Sequence, residues 1–169
     1  GRVIYADSHD FAGGYRGSNF GLSVVPVAAR DGSMQRDYWY SSQRKFSRLA
    51  SPQSVGRRAA ERALRRLGAR KIKTREVPVV FEPEIAASLL RQLSAALSGY
   101  SLYKGASFLV GKLGTKIASE LVTVVDDGTI PVALGSKPFD GEGFPTRKKT
   151  VVEKGMLQSY LLDSYSGRK

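Results

Sequence analysis

PEIAASLLRQLSAALS, Pro83 to Ser98, and SELVTVVDDGTIP, Ser119 to Pro131, are the two stretches that decide how this chain folds. In the first, Ile85, Leu89, Leu90, Leu93 and Leu97 recur at helical spacing. Pro83 suits the first helical position, and Gly99 marks the stop. Arg91 is the only charged residue between Ile85 and Ser98. So apolar a helix is expected to be covered on more than one side, which makes it a buried helix. In the second stretch Leu121 to Val125 reads as a strand, closed by the turn Asp126-Asp127-Gly128. Upstream, Val77 to Phe81 reads as a buried strand.

Downstream of the helix, Tyr100 to Ala118 is punctuated by glycines and reads as a loop with a short helix. A long loop from Gly135 to Thr146 holds Gly135, Pro138, Gly141, Gly143 and Pro145. It leads into a hairpin: Lys148 to Val152, the turn Glu153-Lys154-Gly155, then Met156 to Leu162.

The first 49 residues read as antiparallel β structure. Val3-Ile4-Tyr5 begins a strand, and Asp10 to Gly14 marks a turn. Phe20, Leu22, Val24 and Val27 alternate with small or polar neighbours. Asp31-Gly32 supplies the positive φ of a tight hairpin, and Met34 to Ser42 is the return strand. Its aromatics, Tyr38, Trp39 and Tyr40, are expected in core and cross-strand packing. Ser51-Pro52 then opens a helix with serine as N-cap. Val55, Ala59, Ala63 and Leu67 form one narrow apolar stripe on it, and Gly68 suits the C-terminal cap. Ala69 to Glu76 is a basic connector. The fold class expected is therefore α+β. Residues 1–75 form antiparallel hairpins with a packed helix, and 76–169 form the opening part of a mixed, strand-rich domain with a buried helix.

Composition bounds the function. The 169 residues are 41% hydrophobic, and no run of roughly 18 apolar residues calls for a membrane span. The chain has no cysteine, which excludes disulfides and thiolate metal sites and fits a reducing cytoplasm. It opens on Gly1 and ends at Ser-Gly-Arg-Lys, and is read as a piece of a longer protein. The net charge is +12, concentrated in Arg57, Arg58, Arg62, Arg65, Arg66, Arg70, Lys71, Lys73 and Arg75, with only Glu61 opposing within that run. A solvated helix face and a partner-binding face both account for it. Nucleic acid is disfavoured because no aromatic residue interleaves to stack bases.

Side chains that could do chemistry on their own are scarce. Asp7, His9 and Asp10 lie close in sequence, but a polar turn explains them. Asp126-Asp127-Gly128 lacks the further ligands of a calcium loop. Gly111-Lys112 lacks the glycine spacing of a phosphate loop, and no nucleophile-elbow sequence accompanies His9.

Five stretches carry a resemblance: MQRDYWYSS (Met34 to Ser42), VPVVFEPE (Val77 to Glu84), VTVVDDGTIP, KPFDGEGFPTRKK (Lys137 to Lys149) and LLDSYSGRK (Leu161 to Lys169). In this order they resemble the TldD/PmbA family, in which paired subunits form a zinc peptidase. The resemblance implies that the catalytic TldD branch carries His-Glu-x-x-x-His on the corresponding helix and a cysteine on the downstream strand. The matching positions here are Arg91, Gln92, Ala96 and Val122. Arginine stays protonated, glutamine is no general base, and alanine and valine offer no lone pair to a metal. The chain is thus similar to the PmbA (TldE) branch, with no catalytic and no metal-binding residue of its own.

That resemblance implies further expectations. Zinc belongs to a TldD-like partner subunit, the complex acts on unfolded or modified peptides in the cytoplasm, and no membrane is involved. Arg91, a lone charge on an apolar helix, is expected either in an ion pair within the fold or in contact with a peptide carboxylate or the partner. Phe139, Asp140, Glu142 and Phe144 of the glycine-rich loop are the other candidate contacts. Two rivals stand beside this reading. One is a basic, nucleic-acid-associated regulator, matching the family's older label as a modulator of DNA gyrase. The other is an independent hydrolase that uses residues outside this stretch.

Overall fold

The computed structural model describes residues 1–168; Lys169, the last residue of the LLDSYSGRK stretch, lies outside the described residues. The chain divides into two compact units. Unit 1 comprises residues 1–76 with 130–136, and unit 2 comprises 77–129 with 137–169. A division at 75/76 does not anticipate that 130–136 joins unit 1, because only contacts distant in sequence put it there.

Unit 1 is built from hairpins. β1 (Arg2–Ala6) pairs antiparallel with β2 (Ala12–Arg16). A second hairpin is folded in two stages: β3 (Phe20–Val24) pairs with β6 (Trp39–Gln43), and between them β4 (Val27–Arg30) pairs with β5 (Ser33–Arg36). Pro26 lacks the N–H that would continue the ladder, so the long hairpin breaks beside it. At the tip Asp31 and Gly32 take φ of 50° and 77°, the tight turn that the Asp-Gly pair predicts.

Helix α1 (Pro52–Arg65) starts where its cap residues place it. Ser51 Oγ accepts the Ser54 N–H at 3.2 Å, and Pro52 sits in the first turn. Val55, Ala59 and Ala63 are fully buried, and the two alanines let the helix lie close against the β3–β6 strands. Two of its arginines, and Arg66 at its C-cap, are not simply solvated. The Arg58 guanidinium lies 3.9 Å from the centre of the Trp39 ring and that of Arg62 lies 5.3 Å away. Asp37 meets Arg62 Nε at 3.5 Å and Arg66 Nη1 at 3.6 Å. The Tyr38 backbone N–H, then the two guanidiniums, hold the Asp37 carboxyl below the usual carboxylate range. The expected aromatic packing is met by Trp39 only, since Tyr38 and Tyr40 stack on each other in the open, with ring centres 6.2 Å apart.

Arg44 fastens the 130–136 segment to unit 1. Its Nε donates to Ala133 O, and its Nη2 donates to Leu134 O and Ser136 O, each at 2.8 Å. The planar fork of arginine suits three carbonyls in a way that an ammonium does not. In the same segment Val132 takes φ 66°, a left-handed conformation that a β-branched residue rarely adopts.

Unit 2 is a three-stranded antiparallel sheet, β7 (Val124–Asp127), β8 (Lys148–Glu153) and β9 (Met156–Leu157), with α2 (Pro83–Leu97) and α3 (Gly99–Tyr103). Leu97, Leu109, Val151, Val152 and Leu157 form its core, with Leu93, Ala96, Ile117 and Tyr160 packed around them. The Tyr160 hydroxyl accepts the Lys112 N–H at 3.2 Å and donates to Leu109 O at 2.7 Å, which satisfies polar groups beside that core. Ser98, rather than Gly99, is the pivot between the helices. Its N–H closes α2 on Ala95 O, and its Oγ accepts the Ser101 N–H to open α3.

Three expectations need correction. α2 forms over the expected residues but is not a buried helix. Leu97 is 1% exposed, whereas Ile85, Leu89 and Leu90 are each 52% exposed. Only its last turns reach the core cluster; the rest of the stripe extends past it. Val77 to Phe81 forms no strand, since among the described residues no backbone group there is hydrogen-bonded, and Val80 is 96% exposed. A sequence that is apolar on both faces can signal a central strand, but a strand needs neighbours to pair with. The strand at Leu121–Val125 begins only at Val124, because residues before it bond to the hairpin turn instead. Among the described residues no helix is long and apolar enough to cross a membrane.

Candidate functional site

Arg91 stands exposed on α2. At about 100° per residue the core-facing Leu93, Ala96 and Leu97 lie roughly 140–240° around the helix from it, so its side chain leaves on the far face. Among the described residues Arg91 makes no ion pair or hydrogen bond, so the expected ion pair within the fold is absent. Gln92 is exposed beside it. Ala96 is half-buried, its methyl group packs against the core and its carbonyl accepts Ser107 Oγ–H at 2.6 Å. Val122 lies in a turn ahead of β7, where its carbonyl accepts the Gly155 N–H at 2.9 Å. Two of the four positions therefore serve packing and hydrogen bonding.

Among the described residues no group of three His, Cys, Asp or Glu side chains is arranged to hold a metal ion. Asp7 Oδ1 accepts the backbone N–H groups of His9 at 2.8 Å and Phe11 at 3.2 Å, the geometry of a polar turn.

Within unit 2 the loop from Lys137 to Thr146 is more ordered than its glycines suggest. Lys137 N–H donates to Gly128 O, Thr146 N–H donates to Pro138 O, and the Thr146 hydroxyl donates to Lys137 O. Phe139, expected as a contact residue, is instead buried at 7% exposure. Asp140 is likewise internal: its Oδ1 accepts the N–H groups of Glu142 at 2.9 Å and Phe144 at 3.0 Å. Glu142 is engaged through Oε2, which accepts from Ser164 N at 3.0 Å and Ser164 Oγ at 3.2 Å. Of the four loop candidates only Phe144 presents an exposed and unengaged side chain, with 57% exposure. The causes differ: Phe139 is apolar and packs inward, the short Asp140 side chain bonds to the loop's own backbone, and Glu142 reaches out to Ser164.

One cluster was missed by sequence reasoning. Tyr100, Tyr103, Lys104, Asp163, Tyr165 and Ser166 line a surface pocket of about 230 Å³ in unit 2. Tyr103 and Tyr165 meet edge to face with ring centres 5.7 Å apart, and the Lys104 ammonium lies 5.7–5.9 Å from the Tyr103 and Tyr100 ring centres. A hydrogen bond between the two phenols, then burial, raises the Tyr165 phenol above its ordinary range. The pair Tyr100 and Tyr103, one helical turn apart beside Lys104, was the available signal; Tyr165 joins it only through the fold.

Comparison with known proteins places these features. Residues 1–67 match the family model described as the PmbA/TldA metallopeptidase central domain, and residues 74–169 match that of the PmbA/TldA metallopeptidase C-terminal domain. The chain is 37% identical over all 169 residues to a metalloprotease PmbA homolog of Haemophilus influenzae. It spans 38% of that relative's length. A crystal structure of a candidate modulator of DNA gyrase from Bacteroides thetaiotaomicron superposes with a TM-score of 0.94 at 30% identity, covering 99% of this chain and 38% of that one. TldE from Thermococcus kodakarensis superposes with a TM-score of 0.87 at 28% identity, again over 99% of this chain and 38% of that one. With both halves matched in order and the α+β fold shared throughout, the chain belongs to the PmbA/TldD family of metallopeptidases.

Proposed function

We propose that this chain is part of a non-catalytic subunit that pairs with a zinc-bearing, TldD-like subunit to form a peptidase acting on unfolded or modified peptides. One observation carries the reading: Arg91, Gln92, Ala96 and Val122 stand where the resemblance puts the catalytic branch's ligands and base. Arginine stays protonated, alanine and valine offer no donor atom, and a glutamine amide is neither one of the Cys, His or carboxylate ligands that hold zinc nor a base for water at neutral pH. The zinc, held by the partner, would supply the activated water. The contribution of this chain is then to wall the reaction space, admit extended segments and orient them. An exposed sheet edge suits that last task, because an added strand satisfies its own backbone groups on it.

Arg91 is the side chain best placed to take part. It is charged, exposed, free of internal partners among the described residues and directed away from the core. Replacing it by alanine in the full-length protein is expected to weaken peptide or partner binding by about two- to fivefold, the worth of one exposed ion pair. Stability is expected to change by less than about 0.5 kcal/mol, as at an ordinary surface site. Co-expression with the cognate TldD-like subunit tests both levels. Co-purification of the two subunits, with zinc in the partner, supports the pairing; failure to co-purify counts against it. Unchanged peptide affinity and co-purification in Arg91→Ala would leave Arg91 a bystander.

The nucleic-acid reading has charge and the gyrase-modulator name of one structural neighbour behind it. Against it stands the placement of the aromatic rings. Trp39 is engaged by α1 arginines, and strand alternation turns Tyr40 to the opposite face of β6. Among the described residues no stacking platform lines the basic helix.

A further inference from the structure

Charge is divided very unevenly between the two units. Unit 1 has sixteen lysines and arginines against six carboxylates, a net of +10, while unit 2 has eleven against nine, a net of +2. Part of the unit 1 excess has internal work. Arg44 grips three carbonyls, and Arg58, Arg62 and Arg66 pack on Trp39 or pair with Asp37. The cations at the end of the unit are different. Arg70, Lys71, Lys73 and Arg75 lie on a segment that is exposed at every residue, and among the described residues none of the four has an ion pair. From Arg70 to Arg75 no backbone N–H or C=O is hydrogen-bonded among the described residues either. The segment thus offers positive charge and open main-chain groups together.

We propose that the arm from Arg70 to Arg75 docks an acidic, unfolded stretch of substrate peptide, which adds alongside it as a strand. This rests on the peptidase reading above and names a substrate class for it. In the extended form that strand addition imposes, Lys71, Lys73 and Arg75 fall on one face, repeating every ~6.6–6.8 Å. Arg70, Ile72 and Thr74 fall on the other. A peptide with carboxylates at alternate positions sets one acid opposite each cation of the first face, while its backbone satisfies that of the arm. A folded acidic surface would meet the charges and leave the main chain unpaired. A nucleic acid would likewise use only the charges, and the arm has no aromatic ring for a base to stack on.

The test uses fluorescence anisotropy on the full-length protein, alone and with its TldD-like partner. The probes are a labelled peptide with glutamate at alternate positions, the same peptide with glutamine there, and a single-stranded oligonucleotide of equal charge. The acidic peptide is expected to bind about tenfold more tightly than its glutamine counterpart, as three exposed ion pairs each worth roughly a factor of two imply. That preference should fall with added salt. It should disappear in Lys71→Glu/Lys73→Glu/Arg75→Glu and persist in Arg30→Glu/Arg36→Glu, a control that reverses charge on the β4–β5 hairpin of the same unit. Equal binding of the two peptides overturns the proposal, as does a preference that survives reversal of the arm. Tighter, arm-dependent binding of the oligonucleotide also overturns it, in favour of a polyanion site. Cleavage assays on the complex separate the two levels: no cleavage of either peptide counts against the peptidase reading, while the binding comparison alone decides the arm.

Discussion

Replacing Gly155 by alanine is expected to destabilise unit 2 by about 4–5 kcal/mol, enough to unfold a domain near the lower end of the usual 5–15 kcal/mol range. Gly155 sits in the β8–β9 turn at φ 81°, where a side chain costs about 1–2 kcal/mol by itself. A Cβ there would also stand 2.3 Å from Ala118 O and 2.8 Å from Ser119 O. Both are backbone atoms, so relief requires the turn to move. Moving it breaks the bond from Gly155 N–H to Val122 O, and those from the Ile117 and Ala118 N–H groups to Gly155 O. Each such bond is worth about 1 kcal/mol. Gly32 is the internal control: its φ is 77°, but a Cβ at that position would meet nothing within 4 Å, so Gly32→Ala should cost only the conformational part. Thermal melts of the two variants decide the matter. Equal shifts for Gly32→Ala and Gly155→Ala would refute the steric argument.

Leu97→Ala is expected to cost about 3–5 kcal/mol, the range for emptying a buried leucine site. Leu97 is the one fully buried residue of α2 and joins it to Leu109, Val151, Val152 and Leu157. Hydrogen exchange should show α2 losing protection in this variant before the sheet does. Leu89→Ala, on the half-exposed part of the same stripe, should cost under about 1.5 kcal/mol, since little apolar surface leaves water there. A loss at Leu89 matching that at Leu97 would mean that the N-terminal half of α2 is covered after all.

These contrasts show which parts of the molecule are legible in sequence. The α1 N-cap at Ser51-Pro52, the Asp31-Gly32 turn and the Val55, Ala59 and Ala63 stripe follow from forces acting over a few residues. Each was readable because one local requirement, a cap, a positive φ or a helical period, admits few residue types. Long-range outcomes were not readable. Val77–Phe81 has the composition of a central strand and lacks a neighbour, and residues 130–136 join unit 1 because Arg44 binds their carbonyls. Burial of Phe139, the bonds of Asp140 to its own loop and the bond of Glu142 to Ser164 leave no trace in composition, so nothing local set these residues apart from Phe144. The four positions at 91, 92, 96 and 122 came into view only through resemblance; an arginine, a glutamine, an alanine and a valine at that spacing form no chemical pattern that could single them out.

Metal analysis and peptide cleavage by the full-length protein, purified without any partner subunit, test the central claim most directly. The account predicts no stoichiometric zinc after dialysis and no cleavage of unstructured peptide until the TldD-like subunit is added. Stoichiometric zinc in the lone protein, together with cleavage that chelation abolishes, would contradict it.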